Sequence, residues 1–102
     1  MLFMVIEKFE NNDMVPVYQR LRELGRGIPE GLRYVSSWVE PNFSRCFQLM
    51  ECDDASLLQQ WALHWRGTGA SFEFVPVVES ALTRELILSH LDRAAQGPKS
   101  EA

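Results

Sequence analysis

The chain is poor in the residues that most often build metal centres and covalent cross-links. It has two cysteines and two histidines among its 102 residues, and their scattered positions match no zinc-binding spacing. Cys46 and Cys52 fall on one predicted strand, so their Cα atoms would lie about 20 Å apart. A disulfide needs Cα atoms within about 7 Å, so we expect both thiols to be free. We expect no metal site and no cofactor.

Long apolar runs and an excess of positive charge are also missing. No run approaches the roughly 20 apolar residues of a membrane span. The stretch from Leu2 to Ile6 is too short for a signal sequence and lacks a basic segment before it. Lysine and arginine number 10 against 14 acidic residues, for a net charge of -4, which argues against a nucleic-acid partner. We therefore expect neither nucleic acid nor a membrane as a partner, and a location in the cytoplasm.

Sequence motifs of known catalytic chemistry are absent as well. No glycine-rich phosphate loop and no Ser/His/Asp arrangement is visible, and Gly25 and Gly27 follow a predicted helix instead of a strand. A hydroxyl such as that of Ser36 needs a base within hydrogen-bond reach to become a nucleophile. The sequence therefore predicts neither a hydrolase nor a transferase, and whether the chain is an enzyme stays open.

The composition is that of a globular domain, with 46% apolar and 24% charged residues. The length fits a single domain. We divide the chain into a folded domain at 1–80, a C-terminal helical segment at 81–96 and a flexible tail at 97–102. The helical segment rests on the apolar residues Leu82, Leu86, Leu88, Leu91 and Ala95.

The order of the elements is the strongest signal in the sequence. The predicted elements are a strand from Leu2 to Phe9, a helix from Met14 to Leu24, strands from Leu32 to Glu40 and from Arg45 to Cys52, a helix beginning at Asp53 or Asp54, and a strand from Ser71 to Glu79. This order predicts an α+β fold, a ferredoxin-like βαββαβ sandwich with an antiparallel sheet. Pro76 has no N–H for a ladder, so it should lie on an edge strand or at a bulge.

Two helices can cover only one face of such a sheet. By strict alternation, one face of the second strand carries Tyr34, Ser36 and Trp38, and one face of the third carries Cys46, Gln48 and Met50. The opposite faces of both strands are also apolar. A second apolar face of this size indicates a partner subunit or a ligand cleft. A second sheet from an identical subunit, related by a two-fold axis, would cover it.

The same alternation suggests a binding site beside the sheet. If Phe47 and Leu49 pack on the helices, then Tyr34, Ser36 and Gln48 become hydrogen-bonding groups in an apolar cavity, which is how small-molecule sites are usually built. Trp38 would touch the ligand or the partner. The alternative is a hydrogen-bonded cross-strand pair at the seam of a dimer. Two other polar strand residues, Glu7 and Glu51, are expected near strand ends and in contact with solvent.

Four segments resemble a known family. The stretches MLFMVIEKF, GLRYVSSWVE, RCFQLMECDD and FEFVPVVES resemble an uncharacterised bacterial family of small domains in the dimeric α/β-barrel superfamily. The resemblance covers roughly Met1 to Ser80. It implies a homodimer built through the sheet faces, with ligands between sheet and helices or inside the shared barrel. The segment from Ala81 to Ala102 extends beyond the resemblance, and would either swap onto the partner or cap the sheet face.

The resemblance also brings His64 into consideration. Some members of the superfamily use a histidine as a base or as a haem ligand, whereas a helical histidine beside aromatic residues often serves only as a half-buried amphipathic side chain. Several functions therefore compete. They are binding of a small apolar or aromatic molecule by a dimer, a non-catalytic structural or regulatory dimerisation module, a cofactor-free monooxygenase- or isomerase-like enzyme, and haem handling through His64.

Overall fold

A computed structural model describes residues 1–97; the rest of the predicted tail, 98–102, lies outside the described residues. The elements are strand β1 at Leu2–Phe9, helix α1 at Val15–Leu24, strands β2 at Arg33–Val39 and β3 at Arg45–Glu51, helix α2 at Ser56–His64, strand β4 at Ala70–Val77 and helix α3 at Ser80–Ala95. The predicted α+β class and element order are confirmed. No helix within residues 1–97 is long and apolar enough to cross a membrane.

The four strands form one sheet in the order β2-β3-β1-β4. Every neighbouring pair is antiparallel. This arrangement, with β1 and β3 in the middle, is compatible with a ferredoxin-like sandwich. Pro76 lies on the edge strand β4, as its missing N–H requires.

Short polar side chains fix the starts of both helices that pack on the sheet. The Asp13 carboxylate accepts a hydrogen bond from the backbone N–H of Val15 at 3.0 Å, just before α1. Ahead of α2, the Asp54 carboxylate accepts from both the backbone N–H and the hydroxyl of Ser56, at 2.9 and 2.7 Å. Such bonds satisfy N–H groups that have no partner inside a helix. Of the two aspartates considered for the start of this helix, Asp54 is therefore the one whose side chain bonds its first residue, Ser56.

The core lies between the sheet and these two helices. Alternate residues of β1, namely Phe3, Val5 and Phe9, face the helices and are buried. Trp61 on α2 is 2% exposed, and its indole N–H donates to the carbonyl of Arg26 at 3.0 Å. Trp65 follows directly after α2 and packs edge-on against it. Both tryptophans belong to the core.

A β-bulge in β2 changes which side chains share a face. Tyr34 lies opposite Met50, and Ser36 lies opposite the next residue of β3, Leu49, so Val35 has no partner of its own. The extra residue reverses the alternation that follows. Tyr34 therefore lies on the helix-covered face, whereas Ser36 and Trp38 lie on the opposite face, and the expectation that these three share one face is wrong.

The prediction of which β3 side chains face the helices is also wrong. Cys46, Gln48 and Met50 are the residues buried under the helices. Phe47 and Leu49 lie on the other face, where they are only half-buried. Strand β3 carries apolar residues at both sets of positions, so its sequence alone left the choice of face undecided.

The side of the sheet away from α1 and α2 is apolar and uncovered; we call it the open face. Its apolar residues are Leu2, Met4, Ile6, Val35, Trp38, Phe47, Leu49, Val75 and Val77. The predicted C-terminal segment forms α3, which contributes no buried residue and extends the molecule to 60 Å in its longest dimension. The alternative in which this segment caps the sheet of its own chain is therefore wrong.

Candidate ligand cavity beneath helix α1

A cavity of about 110 Å³ lies between α1 and the helix-covered face of the sheet; we call it the inner cavity. Its apolar walls come from α1 and β2, through Val17, Leu21 and Val39. Its polar walls come from Glu7, Ser37, Gln48, Arg26 and Trp65. Side chains from three strands, one helix and two connecting segments therefore converge at this place.

Glu7 is the most unusual of these residues. Alternation along β1 places it between Val5 and Phe9 on the helix-covered face, and it is only 4% exposed. Within residues 1–97 its carboxylate accepts no hydrogen bond and forms no ion pair. Removal from water raises the pKa of Glu7 from its usual 4.5 to about 7. The expectation that Glu7 is solvated is wrong.

Two strand neighbours bring further polar groups close to Glu7. Cys46 lies directly opposite it across β1 and β3, and Gln48 is its diagonal neighbour, a relation that places Cβ atoms roughly 7–8 Å apart. Ser37 lies opposite Gln48 on β2. Gln48 is 6% exposed, and within the described chain its side chain forms no hydrogen bond.

Cys46 is not a nucleophile in this environment. Burial, and to a smaller extent the nearby Glu7 carboxylate, raise the pKa of its thiol to about 11, against an opposing effect of Arg26. The thiolate is the reactive form of cysteine. At neutral pH the side chain is therefore a neutral thiol that fills space beside Glu7.

Aromatic and cationic groups close the remaining sides. The hydroxyl groups of Tyr34 and Ser37 share a hydrogen bond. The exposed Arg26 guanidinium lies 4.1 Å from the centre of the Tyr34 ring, within the range of a cation–π interaction. The indole N–H of Trp65 is buried and is the one enclosed side-chain polar atom in residues 1–97 without a hydrogen-bond partner. A buried donor of this kind normally costs about 1–3 kcal/mol.

The inner cavity adjoins a larger depression, which we call the outer groove. It has a volume of about 720 Å³ and shares Tyr18 and Val39 with the inner cavity. Its other apolar walls are Met14, Val15 and Phe43. Volumes of 300–1,000 Å³ are typical of small-molecule sites. A molecule seated in the outer groove would reach the polar groups of the inner cavity past these two shared residues.

The structure brings together only part of the predicted site. Gln48 lines the inner cavity, and Tyr34 is joined to it through Ser37. Ser36 and Trp38 lie on the open face, across the sheet. The ligand-binding roles of these residues stay predictions.

His64 has structural contacts instead of a place in the cavity. Its Nε2 lies 2.9 Å from the carbonyl oxygen of Gly25, and its ring packs edge-on against Trp65. A side chain at Gly27 would collide with the imidazole. His64 therefore ties α2 to the segment after α1. No group of three residues able to hold a metal ion occurs in residues 1–97.

Sequence reasoning missed Glu7, Ser37 and Trp65 as cavity residues. Glu7 was detectable, because it shares the odd-numbered positions of β1 with Phe3, Val5 and Phe9. Ser37 was missed because the bulge moves it to the helix-covered face, and no local sequence pattern indicates a bulge there. Trp65 lies in the core, and its unpartnered N–H depends on packing, which the sequence does not show.

Comparison with known proteins gives one finding. Residues 1–91 match a family described as a domain of unknown function (DUF3303). Neither a curated protein nor a solved structure matches the chain significantly. The match agrees with the expected resemblance to an uncharacterised domain family and does not extend to the α/β-barrel superfamily.

We predict that Glu7→Gln removes a pH dependence of stability. The pKa of Glu7 is about 7 in the folded chain against a usual 4.5, so the folded state holds this proton more tightly. The contribution to stability is complete below about pH 4.5 and is lost as the pH rises through about 7, a change of about 3 kcal/mol at most. Urea denaturation at several pH values should show the variant to be more stable than the wild type at about pH 8.

Glu73→Gln is the matched control, because Glu73 is an exposed glutamate of the same sheet on its open face. It should leave the pH dependence as in the wild type. Parallel profiles of stability against pH for the wild type and Glu7→Gln, from about pH 4.5 to about pH 8, would contradict the burial of an unpaired carboxyl.

Proposed function

Because the chain belongs to this family of domains of unknown function, we propose its function from geometry: it binds a small, largely apolar molecule whose polar end enters the inner cavity. The observation that carries the proposal is the set of buried polar groups there without partners. The Glu7 carboxyl, the Gln48 amide and the Trp65 indole N–H form no hydrogen bond within residues 1–97.

The energetics of these groups support a ligand. A buried polar group without a partner destabilises a fold by about 1–3 kcal/mol. The Trp65 N–H is an enclosed donor without a partner, and Glu7 and Gln48 add two mostly buried polar side chains without hydrogen bonds in residues 1–97. Buried polar atoms are almost always satisfied in native proteins, so this grouping around one cavity favours a ligand. A ligand with both hydrogen-bond donors and acceptors would recover part of this cost on binding.

The outer groove indicates the rest of the molecule. Val15 and Phe43 expose 51% and 54% of their surface there, and both are apolar. Pockets of this kind bind an apolar body and use a few polar groups to fix its orientation. The geometry therefore favours a small aromatic or aliphatic molecule with one polar end, over a highly charged metabolite.

Binding can be tested with acetophenone, phenol and benzamide, which each join an apolar ring to one neutral polar group. Amide shifts in ¹⁵N NMR titrations should change around Val39 and Gln48. Gln48→Leu removes the polar end of a cavity side chain at similar volume, and should weaken binding about tenfold, the equivalent of one hydrogen bond worth 1.4 kcal/mol.

Gln59→Leu is the control for this test, since Gln59 is exposed on α2 and should leave the affinity unchanged. Two results would contradict the proposal. One is the absence of shifts with all three compounds at millimolar concentration, and the other is a set of shifts confined to the open face around Trp38.

A second candidate function is self-association, and we infer that the open face and α3 pack against a second copy of this chain. Isolated helices of this length are marginal in water, and their stability in proteins comes mostly from packing. Helix α3 has 16 residues and none is buried. Its large apolar side chains are 49–65% exposed: Leu82, Leu86, Ile87, Leu88 and Leu91.

The available area supports an interface of standard size. These five side chains together leave on the order of 400 Å² of apolar surface in water. Trp38, which is 54% exposed, and its half-buried neighbours on the open face extend this surface. A stable interface buries about 800 Å² from each partner. The inner cavity lies on the other side of the sheet, so such a dimer would leave it accessible.

Sedimentation equilibrium tests this candidate with single substitutions. The wild type should be a dimer at micromolar concentration. Trp38→Glu should raise the dimer dissociation constant at least about 30-fold, as expected for an interface anchor worth 2 kcal/mol or more. Leu86→Glu and Leu91→Glu change opposite sides of α3. The variant with the higher dimer dissociation constant identifies the side of α3 that packs on the partner.

Leu63→Glu is the matched control, because Leu63 on α2 is 67% exposed and lies on neither proposed surface. A wild-type monomer at micromolar concentration would contradict self-association. So would a dimer that Leu63→Glu disrupts as strongly as Trp38→Glu does.

A further inference from the structure

We infer that Glu7 transfers a proton to and from the bound molecule, and that this molecule is an enolisable carbonyl compound, one with a hydrogen on the carbon beside its C=O group. The inference rests on the proposed binding at the inner cavity and adds a reaction to it. It depends on the placement of Glu7 relative to hydrogen-bond donors on the same walls.

Glu7 is free to act on a ligand. Glutamates are almost never fully buried unless they are paired, yet Glu7 is 4% exposed and has no basic partner and no hydrogen bond within residues 1–97. A structural carboxylate would be held by an arginine, as Glu40 is held by Arg45 on the surface at 2.7 Å. The oxygens of Glu7 remain available for a proton.

Neutral hydrogen-bond donors line the same cavity as Glu7. Removal of a proton beside a carbonyl group puts negative charge on the carbonyl oxygen, and positioned donors stabilise that charge. The Gln48 amide and the Ser37 hydroxyl lie opposite each other on the cavity wall. Gln48 is diagonal to Glu7 across β1 and β3, and the cavity of about 110 Å³ that both line is large enough for a carbonyl group and its neighbouring carbon.

The charges around the cavity restrict the ligand. Three titratable groups are close to Glu7: Tyr18 from α1, Arg26 from the segment after α1, and Cys46 from β3. Arg26 is cationic, so it disfavours a cationic ligand and accepts a neutral or anionic one. Burial raises the pKa of Tyr18 and that of Cys46. Glu7, with a pKa of about 7, is the group among these that changes charge near neutral pH, as a general base requires.

The reaction needs only water as a second source of protons. The Glu7 carboxylate takes the proton from the carbon beside the carbonyl group. The electron pair of the broken C–H bond forms a C=C bond, and the C=O electron pair moves onto oxygen, giving an enolate. In hydrogen exchange, the protonated Glu7 exchanges its proton with solvent and then delivers the solvent-derived proton to the same carbon. In isomerisation, it delivers a proton to the far carbon of a conjugated system. Glu7 is regenerated in both.

Hydrogen exchange into phenylacetone in D₂O tests the inference. Its benzylic protons are lost from the ¹H NMR spectrum as they exchange, while shifts in the protein spectrum report binding independently. We expect the wild type to accelerate exchange, and Glu7→Gln to lower this catalysed rate at least about 100-fold, the usual contribution of a general base. The affinity should change little, and the wild-type rate should rise with pH to a plateau above about pH 7.

Two further variants separate a chemical role from a structural one. Glu7→Asp keeps the carboxyl group one methylene further back and should recover part of the exchange rate. Glu73→Gln, on the open face, should exchange phenylacetone like the wild type. Binding without accelerated exchange, or equal rates in the wild type and Glu7→Gln, would overturn proton transfer while leaving the proposed binding intact. Absence of binding would overturn both.

Discussion

The structure depends on one constraint: two helices cover one face of a four-stranded sheet, and the side chains of each strand alternate between its faces. Along β1 this alternation puts Val5, Glu7 and Phe9 together beneath the helices. The residues between them point to the open face. A buried carboxyl on one side of the sheet and an apolar surface on the other are therefore two results of the same arrangement.

The buried carboxyl makes the fold less stable than an apolar residue at the same position would. An apolar residue at position 7 would continue the packing of Val5 and Phe9, whereas Glu7 destabilises the folded chain whenever it is ionised. The core tolerates this because Trp61, Met50 and Val5 are almost completely enclosed. Local departures from good packing rules tend to occur at functional sites. That tendency supports assigning the inner cavity, and not the outer groove alone, to function.

Hydrophobic periodicity predicted the elements well. The predicted bounds of strand β1 are the observed ones. The α+β fold class and the edge position of Pro76 were also predicted correctly, because these features depend on local patterns. The bulge at Val35 could not be predicted, since strict alternation counts residues and a bulge adds one. Tyr34 was therefore assigned to the same face as Ser36 and Trp38, whereas it lies on the helix-covered face. The surroundings of α3 were not predictable either. An apolar pattern along a helix shows which residues are suited to burial and does not show what covers them.

The central claim is that Glu7 is a buried, unpaired carboxyl group in a cavity. A ¹³C NMR titration of the Glu7 side-chain carbonyl in the free protein tests it most directly, because the chemical shift follows protonation of that one group. The account predicts a midpoint at about pH 7. A midpoint at or below the usual 4.5 would mean that Glu7 is hydrated or hydrogen-bonded, and would contradict the account.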